Sequence, residues 1–125
     1  MLTKEQNQRL TSVEGDAPMA RLMRENYWVP FSRIEALEAG STTPTRVRLC
    51  GENYVVWRAP DGRVGFIDER CPHRGASMAL GRIEGCAIRC IFHGWLFDVS
   101  GKVLDVPTEG DRSALIAPHV PLKHY

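Results

Sequence analysis

Residues 71–98, CPHRGASMALGRIEGCAIRCIFHGWLFD, decide how this chain is read. One residue separates Cys71 from His73, and two separate Cys90 from His93. A glycine follows each histidine within two residues, Gly75 in the first case and Gly94 in the second. Thiolates are soft anionic donors that suit iron bridged by sulfide, and imidazoles suit iron as neutral donors. Two Cys-His pairs therefore fit a two-iron, two-sulfide cluster, with two thiolates on one iron and two imidazoles on the other. Such a centre carries one electron. If each loop supplies one Cys and one His, each loop gives one ligand to each iron. Gly75 and Gly94 lack a side chain, so backbone N–H groups can approach the sulfides closely and tune the potential.

Zinc is the rival reading, because two Cys and two His also make a structural zinc set. Those sites usually bring their cysteines together as C-x-x-C, and Cys71 and Cys90 are not so paired. The other rival is a chance collection of buried thiols and surface histidines. Two Cys-His-Gly loops so close together argue against it.

Around this segment the chain reads as short strands separated by turn signals. Val47–Leu49 alternates, and Tyr54–Trp57 is rich in strand formers. Asp61-Gly62 marks a hairpin leading to Val64–Ile67. Ile83 and Ala87–Cys90 flank Glu84-Gly85, and Leu96–Val99 and Val103–Val106 flank Ser100-Gly101. Ile116–Leu122 is expected to close the sheet. The ligand loops should sit at the tips of two hairpins, 71–80 and 90–95. The expected fold is mostly β, an antiparallel sandwich or small barrel.

A helical lead precedes the strands. Thr3–Gln6 has capping-box spacing. Asp16 and Pro18 suggest a second helix start, with Met19, Leu22 and Met23 on one packing face. Ser32–Glu35 is another capping box, and Gly40 is a helix-ending residue. The expected division is residues 1–40 for the lead and 41–125 for the cluster-bearing domain.

Composition narrows the function. At 125 residues with a net charge of +1, the chain has room for a modest core and no basic excess to suggest a nucleic-acid partner. No apolar run reaches the eighteen residues that a membrane span needs. The opening, MLTKEQNQRL, is polar from its third residue and carries no signal peptide, so a cytoplasmic protein is expected. In that setting four cysteines point to metal before disulfide. Cys50 and Cys86 are left over as structural residues. Arg70, Arg74, Arg82 and Arg89 flank the loops as a basic rim, or as charges paired with Asp68, Glu69 and Glu84. Trp95 should pack beside the cluster.

Residues 71–98 resemble the cluster-binding segment of Rieske proteins. More narrowly they resemble the N-terminal domain of Rieske non-haem iron oxygenases of the phthalate dioxygenase branch. The opening, MLTKEQNQRLTSVEGDAPMARLMRENYWVP, is similar to the start of that branch's oxygenase components. The resemblance implies the Rieske fold and a Rieske-type 2Fe-2S cluster on Cys71, His73, Cys90 and His93. It implies electrons from a flavin- or ferredoxin-type reductase, passed to a mononuclear iron domain in the service of aromatic-ring hydroxylation. In the family that iron sits on two histidines and a carboxylate. Beyond the cluster pair only His119 and His124 remain here, in a proline-broken run. They are expected to be exposed terminal residues, and the chain alone should not hydroxylate. A free-standing Rieske ferredoxin is the alternative.

The resemblance also bears on potential. High-potential Rieske proteins carry a disulfide between the loops, at the positions of Ala76 and Phe92 here, and hydroxyl donors at the positions of Trp95 and Phe97. This chain has neither, which implies a potential near the low end of the Rieske range, about −150 mV. The family's histidines lie at the exposed tip and can release protons when the cluster is oxidised, which implies a pH-dependent potential.

Overall fold

The computed structural model describes residues 1–125. The chain divides into two units, one of residues 1–32 and 48–53, the other of 33–47 and 54–125.

The smaller unit begins with α1, Lys4–Thr11. The capping box at its start is complete: Thr3 Oγ1 accepts from the Gln6 amide at 3.1 Å, and the Thr3 amide donates to Gln6 Oε1 at 2.9 Å. Helix α2, Pro18–Asn26, starts at the proline, whose missing N–H costs nothing in a first turn. Asp16 does not cap it. The N-cap is Ala17, with no side-chain bond. Ala20 is the buried residue of α2, while Met19 and Leu22 are exposed, so the expected methionine-leucine packing face is displaced.

Against the α1–α2 connection lies the turn between the first two strands. Cys50 (φ 46°) and Gly51 (φ 82°) are both left-handed, as a two-residue hairpin turn of mirror type requires. A side chain on Gly51 would overlap the backbone of Glu14 and Gly15. Arg24 donates to the Gly15 carbonyl at 3.1 Å and to that of Cys50, and Arg48 pairs with Glu14 at 2.5 Å.

The chain forms two antiparallel sheets, the first of which includes residues 48–49 and 52–53 of the smaller unit. Strands β1 (Thr45–Leu49), β2 (Glu52–Arg58) and β3 (Val64–Asp68) form one, in that order. Strands β4 (Arg82–Glu84), β5 (Ala87–Arg89), β6 (Leu96–Phe97) and β7 (Val103–Asp105) form the other as a meander. In β2 the run Tyr54–Trp57 is buried without alternation, as in a strand covered on both faces. Trp57 stands opposite Gly65 in the β2–β3 register, and a side chain on Gly65 would overlap the indole. The core draws on both sheets: Val55, Trp57 and Ile67 from one, Ile83, Ile88, Phe97 and Val103 from the other.

Two further expectations fail. Ser32–Glu35 does not cap a helix; only one 3-10 turn forms, Ile34–Ala36, with Arg33 at its N-cap and no side-chain cap bond. Leu37 is buried directly after it, and the Gly40 amide donates to the Arg58 carbonyl at 3.2 Å, so the chain is drawn to β2 before a helix can extend. Nor does Ile116–Leu122 form a strand. Residues 107–112 are 3-10, α3 spans Ser113–Ile116, and Ala117–His119 is a further 3-10 turn. Pro118 and Pro121 lack the N–H that a ladder needs, and Ser113 is held locally by a 2.9 Å bond from the Val106 amide.

Closure falls instead on the last residues. The Asp68 amide donates to the Lys123 carbonyl (3.0 Å) and that of Tyr125 to Phe66 (2.9 Å), so the tail runs beside β3. The Tyr125 ring lies edge-on to Tyr54 and Phe66, with centroids 5.2 and 5.9 Å away. Leu122 is buried beneath Gly101.

Candidate metal centre

All four candidate residues lie in the larger unit, in two loops that share one backbone turn. In the first loop the Cys71 amide donates to the Ala76 carbonyl (2.9 Å), and the Gly75 amide to the Cys71 carbonyl (2.8 Å). In the second, the Cys90 amide donates to Trp95 (2.8 Å) and the Gly94 amide to Cys90 (3.1 Å). The offsets from the cysteine are identical. Gly75 (φ 70°) and Gly94 (φ 74°) take the same left-handed position. The unequal Cys-to-His spacing is therefore a one-residue shift of the histidine within a common turn.

The loops differ in what carries them. The second is the tip of the β5–β6 hairpin, as expected. The first is not a strand hairpin: it joins β3 of one sheet to β4 of the other and is closed by a single bridge, Arg70 to Ser77. At its base Glu69 is a buried carboxylate. Its Oε1 accepts from Ser77 Oγ at 2.6 Å and pairs with Arg46 at 2.5 Å, and its carbonyl accepts from the Met78 amide at 2.8 Å.

The side chains converge. Cys71 and Cys90 are 2% and 3% exposed, so their sulfurs face the interior. Burial pushes the Cys71 thiol up to about 11, and Cys90 beside it acts in the same direction, while the His73 and Arg74 amides donate to the sulfur and oppose the shift. The His73 and His93 ring centroids are 4.6 Å apart. Burial holds His73 below its ordinary value, and His93 and Arg74 add to this, which favours the neutral ring that metal ligation requires. Trp95, from the second loop, stacks flat on His73 of the first, with centroids 4.8 Å apart and planes 6° apart.

These residues suit a two-iron cluster. His93 Nδ1 and Trp95 Nε1 are buried with no partner in the protein, and such groups normally have one. A two-iron, two-sulfide unit asks for only two protein ligands at each iron.

The remaining candidates lie elsewhere. His119 is exposed in a one-turn 3-10 segment, and His124 is bridged to Ile67. Cys86 sits at the β4–β5 turn, its sulfur 3.4 Å from Asp61 Oδ2 and its carbonyl accepting from Trp57 Nε1 at 3.4 Å. Of the two readings of the flanking arginines, locally paired charges hold for Arg82 and Arg89. Arg82 and Arg89 both engage Glu84 and hold its carboxyl below the usual carboxylate range, Arg82 contributing most. Arg89 also reaches Asp105 at 3.1 Å and the Gly94 carbonyl at 2.5 Å. Arg70 donates to the Gly75 carbonyl at 3.1 Å. The sequence reading missed Glu69 and Arg46 as the support of the first loop. A lone Glu-Arg dipeptide beside Cys71 offers no signal that its carboxylate is buried.

Two sheets and two matching turns that bring paired cysteines and histidines together suit an iron–sulfur electron-transfer domain. The comparisons agree. The Rieske [2Fe-2S] domain family matches residues 27–123, and the chain belongs to that family, whose members carry a Rieske-type 2Fe-2S cluster. The phthalate 4,5-dioxygenase oxygenase subunit of Pseudomonas putida is 49% identical over 109 residues, 87% of this chain and 25% of that protein. The 3-chlorobenzoate-3,4-dioxygenase oxygenase subunit of Comamonas testosteroni is 48% identical over 107 residues, 86% of this chain and 24% of that one. The terminal oxygenase of carbazole 1,9a-dioxygenase from Novosphingobium sp. KA1 superposes with a TM-score of 0.68 at 32% identity, over 80% of this chain and 26% of that chain. The reduced oxygenase–ferredoxin complex of carbazole 1,9a-dioxygenase gives 0.67 at 29%, over 80% and 25%. The chain spans about a quarter of the length of these relatives. No helix is long and apolar enough to cross a membrane.

Proposed function

We propose that Cys71 and Cys90 hold one iron of the cluster and His73 and His93 the other. The chain then serves as the electron-entry portion of an aromatic-ring-hydroxylating oxygenase component. The observation that carries this reading is the pairing of two buried thiols with two adjacent imidazoles on matching turns. When bound, the cluster supplies one-electron chemistry at a potential set by its imidazole ligands. The protein's own residues do the rest. The thiols are buried, Gly75 and Gly94 let the turns close, and the histidine edges stay half-exposed where a partner can approach.

The donor is a ferredoxin- or flavin-type reductase, and the acceptor is a mononuclear iron site outside these 125 residues. Support comes from the oxygenase relatives and from the ferredoxin bound to carbazole 1,9a-dioxygenase. The tip is suited to docking: Ile91 and Phe92 are 67% and 60% exposed beside His93, the kind of apolar surface that marks an interaction site. The protein purified with iron and sulfide should be coloured and show a paramagnetic signal after dithionite. Replacing Phe92 with Ser should slow reduction by a partner ferredoxin several-fold while leaving that signal unchanged. Colourless protein without acid-labile sulfide would overturn the cluster assignment. A Phe92 variant reduced at the normal rate would overturn the docking surface.

A further inference from the structure

The two ligand loops repeat a six-residue unit, RCPHRG at 70–75 and RCIFHG at 89–94. In each, the arginine before the cysteine reaches forward to the carbonyl of the glycine four residues past it. Arg70 Nη1 meets Gly75 O at 3.1 Å, and Arg89 Nη1 meets Gly94 O at 2.5 Å. Each turn is thus closed three times: by the cysteine amide, by the glycine amide and by a guanidinium. A carbonyl and the next N–H point in opposite directions across a trans peptide. Fixing the two glycine carbonyls therefore also fixes the direction of the Ala76 and Trp95 N–H groups that follow them.

We propose that Arg70 and Arg89 are paired positioning residues that lock the two loops in cluster-holding shape, and that the lock is weaker on the Cys71 side. The proposal rests on the ligand assignment above. Its asymmetry comes from the anchoring of each arginine. Arg89 is only 25% exposed and is itself held, by Glu84 at 2.8 Å through Nε and by Asp105 at 3.1 Å through Nη1. Three acceptors around one planar fork leave it little freedom. Arg70 is exposed and reaches one acceptor. A hydrogen bond to a charged donor is worth more than a neutral one when shielded from water, so the Arg89 bond should contribute more.

The test uses the cluster-loaded chain and its Arg70→Gln, Arg70→Lys, Arg89→Gln and Arg89→Lys variants. The readouts are the rate of bleaching in excess ferrous chelator and the paramagnetic spectrum of the reduced protein. Loss of a charged hydrogen bond of about 1.5 kcal/mol corresponds to roughly tenfold faster bleaching for Arg89→Gln. Arg70→Gln should bleach about threefold faster, as befits an exposed bond. Lysine offers a single donor point, so it should rescue position 70 and not position 89. Both glutamine variants should shift the spectrum, which a merely structural contact would leave alone. If Arg89→Gln does not fold, Asp105→Asn frees the same guanidinium from one anchor and should bleach at an intermediate rate. Wild-type rates and spectra in the glutamine variants would overturn the proposal, as would lysine restoring both positions equally. A wild-type chain that takes up no cluster would overturn the ligand assignment instead.

Discussion

The two ligand loops have the same turn and different foundations. The loop at Cys90 caps a hairpin inside one sheet, so its two legs are hydrogen-bonded to each other and move together. The loop at Cys71 spans the gap between sheets and depends on side chains, chiefly buried Glu69 with Arg46 and Ser77. One loop inherits its shape from backbone pairing, and the other has it supplied locally. A centre that needs both must have them equally well placed, and the indole of Trp95, reaching from the second loop to stack on His73 of the first, couples them.

Both loops are perturbed most severely at the ligands. Cys71→Ala and Cys90→Ala should each reduce bound iron and sulfide to near zero, because neither foundation compensates for a missing thiolate. Metal analysis checks this, and half-loading in either variant would mean that another donor substitutes. Next in size is Trp95→Ala, which removes a buried aromatic and the bridge between loops. A cost of about 3–5 kcal/mol is expected for such a truncation, measured by denaturant unfolding, with Trp95→Phe costing clearly less because the ring still stacks.

Glu69→Gln tests the side-chain foundation of the first loop. Its carboxylate is buried, but Arg46 is about half-exposed and can return to water. The expected cost is about 1.5–3 kcal/mol, the range for a hydrogen bond involving a charged group. Cluster loss should be faster at this loop than in any variant of exposed charge outside the motif. The smallest effect belongs to Glu84→Gln. The Glu84 carboxyl is held low by Arg82 and Arg89, so its contribution is present above the ordinary glutamate value, about 4.3, and is lost as pH falls through the lower folded value. Unfolding followed across acid pH should show the wild-type chain losing stability there and the variant showing a flatter profile.

Much of this was legible in the sequence, and the exceptions share a cause. The strands at Val47–Leu49, Tyr54–Trp57 and Val64–Ile67 and the hairpins around Gly85 and Gly101 follow from strand-forming residues and turn residues, though the turn at Cys50-Gly51 does not. The four candidate ligands follow from spacing and donor chemistry. Ser32–Glu35 and Ile116–Leu122 mislead because their local signal is overruled by partners elsewhere in the chain: the Arg58 carbonyl accepts from Gly40 after the first, and the Gly101 carbonyl accepts from Leu122 in the second, where Pro118 and Pro121 also deny a ladder its N–H groups. The pairing of Arg82 and Arg89 with Glu84 was open to a sequence reading as one of two alternatives, because opposite charges stand close by, whereas a guanidinium turned back onto its own loop, as at Arg70, is not visible there. The shared turn is hidden for the same reason. C-x-H-x-G and C-x-x-H-G look like two motifs until the glycine, not the histidine, is taken as the fixed point.

Both loops matter only if their paired thiols and imidazoles hold a two-iron cluster. Electron-nuclear resonance on the dithionite-reduced chain with 15N-labelled histidine measures this. The expected result is a paramagnetic signal with strong coupling to two histidine nitrogens, reduced to one or none in His73→Ala and His93→Ala. A signal with no strong histidine coupling, or no signal in iron-loaded protein, would rule out this ligand set.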